Sequence, residues 1–466
     1  MSTSILNFFR ISSPSVGKVD ADNVISVWKR KRFQVFLAGT FGYALYYVCR
    51  LSMGVMKQPL IDVGLLNATQ LGIIGACLYW AYAIGKFVNG FLCDSSNIKR
   101  FMATGLLVSA VMNMLMGVLG ASAVNAGFSS ALIFTCFAIM WGINGWAQSM
   151  GAPPAIIGLS RWFPLKIRGT FYGFFSASHN IGEGLSFIFV GSLVAAFGWK
   201  WGFFGAALAG ALGVLLILFW LHDTPESKGL PSVEELSGEK PAEAKAESAD
   251  DTKKLQAAVI RNPGVWILAL ASAFMYMSRY AINEWGTIFL QEVRGYSLGE
   301  AASIVGINPV FGIIGTVVSG WLSDKVFKGD RKYPAFAAGI LESIALWLFL
   351  FGGGSKAVVI LSMVLFGIAI GVLISFIGGL MAIDIVPRKA TGAALGIVGL
   401  ASYAAAGIQN VITGILLDGH TYQVVNEIGE TVTRHDFTYV SWFWLGAAVI
   451  SFLLPILNWH RKVQEI

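Results

Sequence analysis

Twelve stretches of this chain are apolar over close to the length a helix needs to cross a bilayer. They begin near Phe33, Leu71, Phe101, Phe128, Gly169, Trp201, Val265, Leu298, Tyr333, Val358, Ala390 and Phe437. That length is about 20 residues, at 1.5 Å of rise per residue. Inside hydrocarbon every backbone N–H and C=O must find its partner within the protein, so repeated spans of this kind fold as transmembrane helices. Of the 466 residues 56% are hydrophobic and only 13% are charged, a balance that leaves a water-soluble globule no way to cover its apolar surface. The expected fold class is therefore an all-α membrane protein, with the lipid bilayer as solvent.

The residues ahead of the first span are polar and end in the basic run Trp28-Lys29-Arg30-Lys31-Arg32, so the first span, not a cleavable signal, is expected to direct insertion. Of the 33 lysines and arginines, Arg50, Lys86 and Arg279 fall within spans. Lys57, Lys200, Arg294, Lys356 and Arg434 fall on one alternate set of loops, and the rest collect on the other set. By the positive-inside rule the basic side is cytoplasmic and carries both termini, as expected for a multi-pass protein of the cell's inner (plasma) membrane. The net charge of +7 then reflects topology and calls for no nucleic acid. Cys49, Cys77, Cys93 and Cys136 lie in apolar spans without metal-ligand spacing and read as small packing residues, and no cofactor or metal is expected.

One long polar interruption divides the chain. Residues 222–262 are rich in Glu, Lys, Ala, Ser and Pro and read as a mobile, partly helical cytoplasmic linker. The expected organisation is a cytoplasmic segment 1–32, a six-helix bundle 33–221, the linker 222–262, a second six-helix bundle 263–460 and a tail 461–466. The two bundles repeat one another. Gly90-Phe91-Leu92-Cys93-Asp94 recurs as Gly320-Trp321-Leu322-Ser323-Asp324, each followed by basic residues that include Arg100 and Arg331. Arg50 recurs as Arg279, each closing a Tyr-x-x-Arg, and Lys166-Ile167-Arg168-Gly169 has a counterpart in Arg388-Lys389-Ala390-Thr391-Gly392. Three markers at nearly constant offset indicate duplication of a six-helix unit.

The two arginines bear most directly on function. An arginine at the centre of a membrane helix costs roughly 2.5–3.5 kcal/mol on insertion scales, so it is expected to face a wet cavity or a partner. Two at repeat-related positions suggest an anion site. Guanidinium matches phosphate oxygens bidentately and stays charged at any working pH. A phosphomonoester carries about −1.5 to −2 near pH 7, which two arginines nearly neutralise.

The duplicated architecture, with Gly-x-x-x-Asp and a basic loop after the second span of each half, resembles the major facilitator superfamily. That resemblance implies twelve helices in two pseudo-symmetric six-helix bundles around a cavity that opens alternately to each side. Asp94, Arg100, Arg168, Asp324 and Arg331 would cap helix ends and latch the halves in one state. A narrower set of motifs is similar to the organophosphate:phosphate antiporter family: Tyr46-Tyr47-x-x-Arg50, Gly85-Lys86-Phe87, Pro153-Pro154, Arg168-Gly169, His179-Asn180-x-Gly182, Asp223-Thr224-Pro225-Glu226-Ser227 and Arg279 with Trp285. It implies that Arg50 and Arg279 bind the phosphoryl group, with Lys86 and His179 nearby. The chain departs from the family pattern in carrying Phe175-Ser176 for Trp-Asn, Gly182-Glu183 for Gly-Gly, Leu51 for the lysine after the first arginine, and Asn308-Pro309 in place of an acid in the eighth span. Glu284 keeps the acid that follows the second arginine.

Other candidates carry two readings each. Lys86 either reaches the substrate or snorkels to the headgroups. His179 either contributes a pH-sensitive contact or bonds between helices. Tyr43, Tyr47 and Tyr276 either donate to phosphate or pack at helix contacts. Glu183 lies four residues after His179 on one helix face and either tunes that histidine, serves as a proton site or bonds between helices; Glu342 in the ninth span carries the same choice.

The expected activity is exchange of an organic phosphate, such as a sugar phosphate or glycerol 3-phosphate, for inorganic phosphate by a monomer, without covalent chemistry. Two arginines lacking a counter-charge of their own would make the unloaded carrier reorient slowly and exchange obligate. A sugar-phosphate sensor of the same fold, acting with a signalling partner, and a proton-coupled carrier of another organic anion are the rival readings.

Overall fold

The computed structural model describes residues 7–238, 257–328, 330–386, 391–425 and 431–459. The first half holds α1 (Val24–Asp62), α2 (Ala68–Asp94), α3 (Ile98–Ala126), α4 (Ser130–Trp162), α5 (Leu165–Phe197) and α6 (Lys200–Trp220). The second holds α7 (Pro263–Arg294), α8 (Leu298–Trp321), α9 (Lys332–Phe351), α10 (Lys356–Asp384), α11 (Thr391–Gly419) and α12 (Thr438–Asn458). All but α1 are long and apolar enough along their length to cross a membrane. The 39-residue α1 is long enough, but Arg50 and its tyrosines dilute its apolar stretch.

Local signals fix most boundaries. Asn67 and Gln70 form a capping box at the start of α2, and Ser297 and Glu300 form one at the start of α8. Asn262 caps α7 ahead of Pro263, and α7 ends at Gly295 in the left-handed region. The largest departure from expectation is α1, which starts at Val24, ahead of the basic run, and takes the whole run into the helix. Trp28 is buried there, with the Arg32 guanidinium 4.4 Å from its ring, so the first turns pack against the bundle. The expected start of α11, Ala390, lies outside the described residues, as do 239–256 of the linker and the tail 461–466. The linker is docked where it begins. Leu230 and Val233 are buried, and Ser15 and Val19 donate backbone hydrogen bonds to Glu226 and Gly229. A hairpin absent from the sequence expectations joins α11 to α12: β1 (Thr421–Val425) pairs antiparallel with β2 (Thr431–His435), Thr421 opposite His435.

Across the molecule α2 packs on α11, α5 on α8 and α1 on α7. The largest apolar core draws residues from both halves, whereas at the end that carries the termini each half has a smaller core of its own. Among the described residues, polar bonds between the halves run from mid-helix to the distal end: Trp80 to Ala404 O, Thr287 to Gly54 O, and Ala68 N and Thr69 N to Asp418. The halves are thus closed on each other distally. Phe87, Phe91, Leu208, Phe219 and Val317 lie more than half exposed on the outer faces, where lipid is the natural neighbour.

Candidate phosphate site between the halves

Arg50, midway along α1, is 1% exposed. Its guanidinium lies against five tyrosine rings: Tyr82 at 4.2 Å, Tyr403 at 5.2 Å, Tyr47 and Tyr79 at 5.4 Å, and Tyr280 at 6.0 Å. Each desolvated cation–π contact is worth up to about 2 kcal/mol, which offsets part of the cost of burying the charge. One Nη donates to the Tyr280 hydroxyl at 3.4 Å, while Nε is buried with no hydrogen-bond partner among the described residues. Among the described residues, no acid pairs with Arg50. Arg279, 4% exposed on α7, has its guanidinium 5.5 Å from the same Tyr280 ring and 5.9 Å from Tyr276. The arginines of the two halves therefore flank one shared ring.

Arg279 does carry a counter-charge. Its Nη donates to Glu183 Oε2 at 2.6 Å, and the Asn283 amide donates to Glu183 Oε1 at 2.5 Å. Both carboxylate oxygens are thereby used, at 5% and 2% exposure of the pair. This corrects one expectation, that neither arginine has a counter-charge, and of the readings open for Glu183 it gives the bond between helices, to the second arginine across the halves.

The remaining candidates separate into those that reach the arginines and those that do not. Tyr47 lies beside Arg50 and 6.2 Å from the His179 ring. Tyr276 contacts Arg279 and Tyr403. Lys86 is exposed, with Nζ 5.5 Å from the Tyr403 ring and close to Gly399, so it faces α11 of the opposite half and does not trail toward its own loop. Tyr43 stacks on Phe175 and packs edge-on to Tyr47, a contact set within its own half. Glu342, fully buried, accepts from Ser278 and, at 3.4 Å, from Ser451, which ties α9 to α7 and α12.

Sequence reasoning missed Lys57. The sequence pattern puts it on a loop, yet it lies inside α1, fully buried, with Nζ 2.9 Å from Glu284, 3.0 Å from Asn410 Oδ1 and 3.8 Å from the Trp285 ring. Glu284 also accepts from Tyr79 at 2.5 Å. This pair joins the halves on the distal side of the arginines. Tyr79, Tyr82, Tyr280 and Tyr403 were missed as well. Tyr79 and Tyr82 are three residues apart near mid-span, away from the interfacial belts where tyrosine is ordinarily found, and that was the available signal.

The expected latch residues bond within their own halves. Arg100 donates to Phe8 O, Arg168 to Phe163 O and Ser160 O, and Arg331 to Asp384 and Ser323. At the end bearing the termini the organising acid of the first half is Asp223 instead of Asp94. It accepts from Arg161 at 2.6 Å and from the backbone N–H groups of Ile98 and Ser12, while Arg161 reaches only the main-chain oxygen of Asp94. The Asp324 side chain lies outside the described residues. Beside Asp223, burial and the charge of Lys31 push the His222 ring down to about 3, so it stays neutral.

Residues 35–410 match the model of the Major Facilitator Superfamily. The glycerol-3-phosphate transporter of Bacillus subtilis is 33% identical over 89% of this chain and 92% of its own length. The probable hexose phosphate transport protein of Chlamydia trachomatis is 33% identical over 96% and 95%. The membrane sensor protein UhpC of Salmonella typhimurium is 31% identical over 97% and 98%. In fold, the chain superposes on an inward-facing bacterial homologue of the human lysosomal transporter Spinster with a TM-score of 0.72, at 18% identity over 94% of this chain and all of that one. With its paired arginines, twelve helices and duplicated halves, the chain belongs to the Major Facilitator Superfamily and, within it, to the organophosphate:phosphate antiporter family.

Proposed function

We propose that this protein carries an organic phosphate across the inner membrane in exchange for inorganic phosphate, by alternating access of one central site. The observation that carries the reading is the buried pair Arg50 and Arg279, contributed by opposite halves and flanking the Tyr280 ring. A phosphoryl group held by both arginines bridges the halves, and each guanidinium offers a planar fork of donors to its oxygens. The unpartnered Nε of Arg50 is a donor waiting for an acceptor. Tyr47, Tyr276, Lys86 and His179 complete the surroundings. Relatives bearing the names glycerol-3-phosphate transporter and hexose phosphate transport protein support this class of substrate.

Binding energy realised only when both halves touch the substrate lowers the barrier to reorientation. The Lys57–Glu284 pair and the Asp418 caps on α2 would close the distal, extracellular side in the state described, and the termini would be cytoplasmic. The carrier acts as a monomer. Reconstituted into liposomes loaded with phosphate, the protein is expected to catalyse counterflow of external labelled phosphate without an imposed proton gradient, and one or more organic phosphates should compete. A second reading, a membrane sensor, is favoured by the similarity to UhpC over nearly the whole chain. Binding of sugar phosphate without any counterflow would support the sensor and overturn the carrier.

A further inference from the structure

The carboxylate of Glu183 takes one Nη of Arg279, a donor of the kind an anionic substrate would use. It comes from α5 of the first half, Arg279 and Asn283 come from α7 of the second, and each of its oxygens takes one donor. A phosphoryl group presents two oxygens in the same way. Arg50 has instead aromatic faces, one long bond to a tyrosine hydroxyl and an unpartnered Nε. The two arginines are thus unequal: one is neutralised from within the protein, and the other is not.

We propose that Glu183 is an intramolecular stand-in for the substrate, holding Arg279 until the phosphoryl group displaces it and neutralising Arg279 so that the unloaded carrier can change sides. The proposal rests on the phosphate-carrier reading. Substrate meets Arg50 first, because that guanidinium has no acid to give up, and then exchanges with the Glu183 carboxylate on Arg279 and Asn283. The backbone beside Glu183 is held: a side chain at Gly182 would collide with the carbonyl of Ala44, and Gly184 lies against Pro309 and Val310 of α8. Displacement is therefore a swing of the side chain about a fixed helix.

Two consequences follow. Substrate affinity is lowered, because the phosphate must compete with a carboxylate already in place. Coupling is loosened, because the unloaded carrier no longer buries an uncompensated charge at Arg279 when the halves close on each other. Net uptake into phosphate-free vesicles is then appreciable, contrary to what two unpartnered arginines would give.

The test uses full-length protein in proteoliposomes with labelled inorganic phosphate. In Glu183→Gln the half-saturating concentration for counterflow is expected to fall about tenfold or more, the size of one charge-assisted hydrogen bond. The ratio of net uptake to counterflow should fall by a similar factor. A merely structural bridge would move neither in that direction, so an unchanged or raised half-saturation together with an unchanged flux ratio overturns the proposal. Should Glu183→Gln not fold, Glu183→Asp keeps the charge but shortens its reach. It should then show a smaller gain in affinity with the flux ratio retained, and an aspartate variant indistinguishable from wild type in affinity overturns the proposal. Wild-type protein without phosphate counterflow would overturn the carrier reading and this inference together, whereas counterflow with an unaltered Glu183→Gln variant overturns this inference alone.

Discussion

At the scale of single residues, the arginines and the partners they lack or hold decide what the site can do. Lysine keeps the charge but loses the planar fork and most of the ring stacking that accommodates Arg50. Arg50→Lys and Arg279→Lys are each expected to lower counterflow by about 10- to 100-fold, since a charge-assisted hydrogen bond contributes roughly 1.5–3 kcal/mol. Normal insertion with wild-type exchange in either variant would remove that residue from the site. The arginines were legible because a charge inside an apolar span stands out against its neighbours. Lys57 was not, because a lysine near the apparent end of a span reads as loop until the helix is seen to continue to Asp62 and to set it against Glu284. Glu183 was noticed as an acid, but its partner lies on another helix of the other half, and only same-helix spacing is visible in sequence.

At the scale of elements, the distal end is held by a strut that sequence patterns gave no reason to expect. His435, the last residue of β2, has Nδ1 3.0 Å from Glu292 at the end of α7 and Nε2 3.8 Å from Asp418 near the end of α11, and Asp418 in turn accepts from the first backbone N–H groups of α2. Burial opposes charging of this ring, but its pairing with the carboxylates of Asp418 and Glu292 outweighs burial and holds it up at about 9. A pKa raised on folding contributes stability that is fully present below the ordinary value of 6.5 and is lost as pH rises through about 9. Thermal stability is therefore expected to decline across that window in wild type, with the slope reduced in His435→Gln; equal slopes would show that the strut does not titrate there. The hairpin was hidden because its strands are five residues each and form no part of a core that periodicity could reveal.

At the scale of the whole molecule, alternating access requires that the halves approach closely at one end at a time, and glycines set how closely. A side chain at Gly72 of α2 would collide with the main-chain carbonyl of Asn410 on α11, and one at Gly54 of α1 would sit 2.6 Å from the carbonyl of Asn283 on α7. Backbone cannot yield as a flexible side chain can. Gly72→Leu is expected to hold the halves apart at the distal end and to abolish counterflow, with Gly72→Ala less severe; wild-type rates in the leucine variant would show that the close approach is dispensable.

The sequence by itself determined the membrane environment, the twelve spans, the division into two duplicated halves and the pair of intramembrane arginines. All of these rest on local hydropathy, on charge and on repeats along the chain, and need no knowledge of which helices touch. Tertiary structure alone decided that Arg50 is surrounded by tyrosines from α1, α2, α7 and α11, that Arg279 is already held by Glu183, and that Lys57 closes the distal side on Glu284. The energy of a buried charge depends on the partners around it in space, and in a duplicated bundle those partners come from the opposite half of the chain.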